Sequence, residues 1–259
     1  MKTVKEITQL LMDQEEPSAW MKKLEMDERA GVKKALDRWN VNYKKKLLKQ
    51  QALQEKIAFD DNYKLFQGAL VAGVDEAGRG PLAGPVVCAA VILPENPIEL
   101  IGLDDSKKIA KRERERLAVV IKEIALSYAV HIQSAERIDE VNIYQATKES
   151  MERAVLQLDT SPTIVLADAM ALQVPCQTES IIKGDAKSLA IAAASILAKT
   201  TRDALLDDLN VEFPMYNFAK NAGYGTADHL EALQMYGPCK HHRKTFEPVK
   251  TMLEGGLVD

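Results

Sequence analysis

The sequence has 259 residues, 46% of them hydrophobic, and carries 34 Lys and Arg against 38 Asp and Glu for a formal net charge of −4. That apolar content suffices for a core and excludes a disordered or fibrous chain, while the acidic balance excludes a generic polycation that coats nucleic acid. No run reaches the roughly 18 apolar residues of a membrane span, and the charged start MKTVKEITQLL lacks a signal peptide's apolar stretch, so the expected location is the cytoplasm, with no membrane partner.

Residues 1–69 are rich in Lys, Glu, Leu, Gln and Ala, with one proline, Pro17, and one glycine, Gly31, before Gly68, a helical composition. Ile7, Leu10 and Leu11 predict a short helix ending before Glu16 and Pro17. A longer helix is predicted from Asp27 through Gln54, where Val32, Leu36, Trp39 and Tyr43 share one face. Lys44, Lys45, Lys46 and Lys49 admit two readings: a nucleic-acid face with Trp39 and Tyr43 as stacking groups, or a solvated face, which the usual fate of helical charge runs favours. The expected division is a helical extension over 1–69 and a single α/β domain with C-terminal helices over 70–259.

Two apolar runs in VAGVDEAGRGPLAGPVVCAAVIL (Val71 to Leu93) read as buried strands, separated by Gly78, Gly80, Pro81, Gly84 and Pro85. Asp75 and Glu76 therefore sit at a strand end. Two adjacent carboxylates there lose water and repel each other unless a cation compensates, which points to a metal; a solvated turn is the alternative. Beyond LDDSKKI (Leu103 to Ile109) a helix is predicted over Lys111–Leu126. The cations crowding its start, Lys107, Lys108, Lys111, Arg112, Arg114 and Arg116, oppose the helix dipole and so suggest phosphate contact, with a solvated face kept for Arg114 and Arg116.

Tyr128–Ile132 reads as a strand and Asn142–Leu158 as a helix. Thr163–Ala167 is a short buried strand delivering Asp168, and Ser180–Ile182 another, delivering Lys183, Gly184 and Asp185. Three strands ending in carboxylates can converge on one sheet edge as an all-oxygen site for Mg²⁺ or Mn²⁺. A helix over Ala186–Leu209 opens on small residues that permit close packing, the role expected of Ser195. Asp203 lies more than about four turns beyond Asp185, too far to join it, and is expected to pair with Lys199 or Arg202 or to be solvated. Tyr224, between Gly223 and Gly225, suits stacking on a sugar or base, or capping of a helix over Ala227–Met235. Cys88, Cys176 and Cys239 are far apart and form neither a disulfide framework nor a zinc motif.

Taken in order, VDEAGRGPLAGP, LDDSKKI, VLADAMAL, KGDAKSLAIAAASILAKTTRD, NAGYGTADHL and HHRKTF resemble the motifs of ribonuclease HII, the type 2 ribonucleases H, over about Leu70 to Val249. The resemblance implies a ribonuclease H-like fold, with a mixed sheet of about five strands flanked by helices. It implies metal ligands at Asp75, Glu76, Asp168 and Asp185, which hold two ions during catalysis. It further implies substrate contacts by Gly78, Arg79, Gly80, Ser106, Lys107, Lys183, Ser188, Tyr224, His242 and Arg243, the last two contacting or supporting the site. The implied activity is a monomeric endoribonuclease that cuts the RNA of RNA–DNA hybrids and incises 5′ to ribonucleotides in duplex DNA, leaving 3′-hydroxyl and 5′-phosphate ends. Type 3 enzymes lack the arginine-containing loop. The rival classes are a ribonuclease H-like DNA nuclease or recombinase, which would have no use for Gly78–Gly80 with Tyr224, and a non-catalytic nucleic-acid binder, which would need a damaged carboxylate set.

Overall fold

A computed structural model of the chain describes residues 2–255. The chain divides into two compact units, Met1–Gln54 and Glu55–Asp259. In the first, α1 (Val4–Met12) opens on a capping box in which Thr3 Oγ1 accepts from Glu6 N and the Glu6 carboxylate accepts from Thr3 N at 2.7 Å. Ile7 and Leu11 of α1 meet Met21, Leu24, and Val32 and Leu36 of α2 (Ala30–Asp61) in a small core. Trp39 and Tyr43 stack on each other with ring centroids 5.0 Å apart. Trp39 Nε1 donates to Gln14 O, Tyr43 Oη donates to Glu16, and Lys46 pairs with Glu15 and Glu16. These groups are therefore occupied within the unit, which supports the solvated-face reading of this helix.

With no glycine or proline between Gln54 and Gly68, α2 runs past the predicted end at Gln54 to Asp61. Its last turns belong to the second unit, where Phe59 and the following Tyr63 pack against Val71, Ile164, Leu166, Ile181 and Ile191.

The second unit is built on β1 (Val71–Ala77), β2 (Val86–Ile92), α3 (Lys111–Ile124), β3 (Ser127–Gln133), α4 (Ala135–Val141), α5 (Ile143–Leu156), β4 (Ile164–Asp168), β5 (Gln177–Ile181), α6 (Gly184–Lys187) and α7 (Leu189–Glu212). The strands form the expected mixed five-stranded sheet, in the order β3-β2-β1-β4-β5. β2 is antiparallel to β1 and β3, whereas β1, β4 and β5 are parallel. On one face Ala72, Val74, Cys88, Ala90, Ile92, Val165 and Ala167 meet Met151, Ala154 and Val155 of α5. On the other, α7 lies against β1 and β2. α8 (Phe218–Asn221), α9 (Ala227–Tyr236) and α10 (Val249–Gly255) follow, and Leu206, Tyr216, Phe218, Leu233 and Val249 share a second core.

One predicted helix is divided by a cap: Ser188 accepts from Ile191 N and opens α7 after the short α6. Asn142, at φ +72°, accepts from Gln145 N and opens α5 where the helix was predicted to start, after α4, which was not predicted. Among the described residues no helix is long and apolar enough to cross a membrane.

The approach of α7 to β1 is set by Gly73, where an added Cβ would collide with the backbone of Ala190 and Ile191. Because backbone cannot yield as a side-chain tip does, Gly73→Ala should lower unfolding free energy by about 1–3 kcal/mol or more, measured by urea denaturation against wild type. Unchanged stability would show that this contact is not close.

Candidate active site

The parallel arrangement of β1, β4 and β5 brings their C-terminal ends to one edge of the sheet, the edge at which open α/β sheets place ligands. Val74 is level with Ala167, so Asp75 and Asp168 leave adjacent strands at the same height. Asp168 accepts from Gly184 N at 2.7 Å, which ties the Asp185 turn to the end of β4. Ala169 and Lys183, which flank these two carboxylates, have φ of +47° and +56°, a left-handed conformation that non-glycine residues adopt at a cost.

Electrostatics link the four acids. Burial, then the Glu76 and Asp168 charges, hold Asp75 well above the usual carboxylate range. Burial raises Glu76 too, and Asp168 adds to the rise, while Arg79, whose guanidinium lies 3.5 Å away, opposes it. Asp185 is raised by burial and by Asp105 and Asp168, with Lys107 opposing. Glu76 Oε2 is buried without a hydrogen-bond partner.

As the side chains stand, no three His, Cys, Asp or Glu among the described residues gather closely enough to hold an ion. The donor chemistry nevertheless fits a hard divalent cation: oxygen donors only, a surplus of negative charge, and one buried oxygen with nothing to bind. Asp203 stays apart, as expected: Lys199 Nζ reaches one oxygen at 2.6 Å and Arg114 the other at 3.4 Å.

A loop from Gly78 to Pro85 joins β1 to β2 and walls this edge. Gly78 has φ +98°, and a Cβ there would strike the Arg202 side chain. Two buried guanidiniums hold the loop from beneath. Arg202 donates to Pro85 O (3.0 Å), Ala83 O (3.1 Å) and Ala222 O (2.9 Å), and Arg243 donates to Arg79 O (2.8 Å), Gly84 O and Gly78 O. Desolvation pushes their pKa values down to about 10 and about 9, so both remain charged at neutral pH.

The segment carrying Tyr224 is joined to the loop by Leu82 N donating to Gly223 O at 2.8 Å. The half-exposed Tyr224 ring stands 3.6 Å from where a Gly80 Cβ would lie. Thr226, not Tyr224, caps α9. Below Tyr224 lies a pair of buried imidazoles. His242 Nδ1 accepts from Cys239 N, so its Nε2–H points to His229 Nε2 at 2.9 Å, and His229 Nδ1–H then donates to Tyr224 O at 2.8 Å. Both rings are neutral in this relay, in keeping with burial, which lowers His229 and takes His242 down to about 4.

Burial revises part of the expected substrate-contacting set. Arg243, His242 and Ser188 are 0–1% exposed and Ser106 is 5% exposed, so their side chains support the site from within and have no surface to offer a ligand. Arg79, Gly80, Lys107, Lys183 and Tyr224 keep accessible surface. Arg114, read as solvated, is mostly buried against Ser106 O, Ile109 O and Asp203.

Sequence reasoning missed four groups. Ser195 donates to Ser106 Oγ at 2.9 Å and its hydroxyl opposes the rise of the Asp75 pKa, Lys56 Nζ donates to Asp185 O at 2.6 Å, Asp60 accepts from Ala190 N at 2.9 Å, and Arg202 holds the loop. No local signal marks them, since each acts across a long sequence separation; only the small-residue run around Ser195 hinted at a close approach.

The family model described as Ribonuclease HII matches residues 72–249, and the Ribonuclease HII N-terminal domain model matches residues 3–64. A protein named Ribonuclease HII from a Geobacillus species is 46% identical over 258 residues, covering 97% of this chain and 91% of its own. The crystal structure of the ribonuclease H2 from Pyrococcus horikoshii is similar at TM-score 0.63 and 28% identity, over 73% of this chain and 100% of that one. The RNase HII chain in the Archaeoglobus fulgidus PCNA:RNase HII complex is similar at TM-score 0.61 and 28% identity, over 69% of this chain and 95% of that one.

Raised carboxylate pKa values mean that the folded, metal-free protein holds protons the unfolded chain has released. Its stability from these groups is therefore fully present below the ordinary carboxylate pKa of about 4 and is lost as pH rises through the raised values. Asp75→Asn should flatten that loss and raise the neutral-pH melting point of the metal-free protein, by about 2–4 °C for each kcal/mol of repulsion removed. A variant less stable than wild type at pH 7 would contradict this.

Proposed function

The chain belongs to the ribonuclease HII family of hydrolytic endoribonucleases that act on RNA–DNA substrates, and we propose that it also incises 5′ to single ribonucleotides embedded in duplex DNA, leaving 3′-hydroxyl and 5′-phosphate ends. The observation that carries this reading is the contiguity of the carboxylate edge with the Gly78–Gly80 loop and Tyr224.

Asp75, Glu76, Asp168 and Asp185 would hold two Mg²⁺ or Mn²⁺ ions. Such ions, when bound, supply the positive charge that favours attack of water on phosphorus and departure of the 3′ oxygen. The remaining work belongs to the protein's own groups. The 2′-hydroxyl separates RNA from DNA, and backbone amides at Gly78, Arg79 and Gly80 can approach it because glycine has no side chain in the way. Tyr224, fixed through its carbonyl by His229 and through Gly223 by Leu82, offers its exposed ring to the deoxyribose that follows. Lys107 and Lys183 suit phosphate contacts. Ser106, Ser188, His242 and Arg243 set the geometry from below.

A DNA nuclease or recombinase could share the carboxylates but would have no use for a 2′-hydroxyl reader beside a stacking ring. We further propose a cytoplasmic monomer, with residues 1–69 as a functional extension of a catalytic domain over 70–259. The gap between the two family matches supports that division, although the last turns of α2 pack with the catalytic body.

Single Asn or Gln replacements of Asp75, Glu76, Asp168 and Asp185 should each abolish cleavage with the fold intact, whereas Asp203→Asn should be mild. An inactive Asp203→Asn beside an active Asp185→Asn would show that the fourth ligand is misassigned. For the ring, Tyr224→Ala should forfeit about 1–3 kcal/mol of stacking. Misplacement of the phosphate by about 1 Å costs on the order of a hundredfold, so the loss should appear in turnover more than in binding. Tyr224→Phe should be much milder. The loss should be larger on one embedded ribonucleotide than on a long hybrid, and equal losses on both substrates would remove Tyr224 as the junction reader.

A further inference from the structure

The fourth carboxylate stands on the least supported piece of the site. Asp185 lies in α6, a single turn between the left-handed Lys183 and the Ser188 cap of α7. Asp75, Glu76 and Asp168 are held within strands, but among the described residues the Asp185 turn is tied to the sheet by one hydrogen bond, Gly184 N to Asp168. What grips the turn from its other side is the end of α2. Lys56, 5% exposed, donates to Asp185 O at 2.6 Å and lies 3.8 Å from Asp104 Oδ1 in the loop that carries Ser106 and Lys107. Four residues on, and hence on the same helix face, Asp60 accepts from Ala190 N at 2.9 Å. That amide is one of the unpaired donors in the first turn of α7, where a carboxylate also complements the helix dipole. The two side chains thus clamp both ends of the segment from Asp185 to Ala190.

We propose that Lys56, braced by Asp60, is a positioning residue that presents the Asp185 carboxylate to the divalent-ion site. This makes the end of α2 a working part of the site in addition to its packing role. The proposal rests on the reading of Asp185 as a ligand. A carbonyl that loses its ammonium partner is left without the one donor shown for it among the described residues, so the turn is free to relax while the strands that carry the other acids are not.

The test uses the full-length protein with Lys56→Met, which keeps the apolar stem and removes the donor. In the metal-free protein, amide hydrogen exchange should accelerate about tenfold across 184–190 while β1 and β2 keep wild-type protection. In a titration of Mn²⁺ followed by the electron spin resonance of the free ion, without substrate, apparent affinity should fall about tenfold, as for other groups that orient a ligand. Lys56→Arg, which keeps a charged donor, should recover part of that affinity. Wild-type exchange across 184–190 overturns the proposal, and so does acceleration spread evenly through β1 and β2, which would assign Lys56 to general stability. Unchanged Mn²⁺ affinity also overturns it if Asp185→Asn weakens binding in the same assay. If Asp185→Asn binds Mn²⁺ as wild type does, the ligand reading fails instead, and the exchange data still decide whether Lys56 holds the turn.

Discussion

Mutual repulsion at the sheet edge is the constraint around which the catalytic body is arranged. Two neighbouring parallel strands deliver Asp75 and Asp168 side by side, Glu76 adds a third charge, and burial removes the water that would screen them. Nothing in the local packing rewards this. Such an arrangement persists only where the surroundings over-determine it, and the surroundings here do so by rigid means. Gly73 lets α7 lie directly on β1, the Ser195 hydroxyl on that helix opposes the rise of the Asp75 pKa, and one oxygen of Asp168 accepts from Gly184 N. The energetic deficit is what a bound divalent cation would relieve, because its charge converts repulsion into attraction without moving a strand.

The second arrangement is the reverse of the first. Arg202 and Arg243 are buried cations, and they are spent on backbone carbonyls of the Gly78–Pro85 loop and its neighbour Ala222. A guanidinium has five donors in a fixed plane, so a few such groups can shape a glycine-rich loop that has little regular structure of its own. The result is a rigid wall with an exposed crest, Gly80 beside Tyr224, adjoining the acidic edge. In the proposed reading, substrate discrimination and bond cleavage would be built from neighbouring residues, with Asp75 and Glu76 near the end of β1 and Gly78 to Gly80 opening the loop.

Much of this was legible in the sequence, because its periodicities and breakers are local. The strand hairpin around Gly78–Pro85, the strand ahead of Asp168, the exclusion of Asp203 and the exposed tyrosine between glycines all follow from residue order and rise per residue. What escaped is non-local. Lys56 and Asp60 look like ordinary charges on a long helix, and only the fold shows them buried beside Asp185 and Ala190. Ser195 was read as packing because a small residue in a small-residue helix announces nothing else. Arg243 and His242 sit in a motif whose chemistry invited direct contact, and only burial shows that their donors point inward. The helix start at Ser188 was passed over because a serine does not interrupt the apolar pattern, although it caps α7 once the chain turns there, whereas the start at Asn142 was read from the sequence.

The most direct measurement of the central claim maps the products formed by the full-length protein, with Mg²⁺ or Mn²⁺, from a DNA duplex containing one ribonucleotide and from the same duplex made wholly of DNA. The account predicts one incision 5′ to the ribonucleotide, with a 3′-hydroxyl and a 5′-phosphate, and no product from the all-DNA duplex. Comparable cleavage of the all-DNA duplex would contradict it, as would incision only within longer RNA tracts.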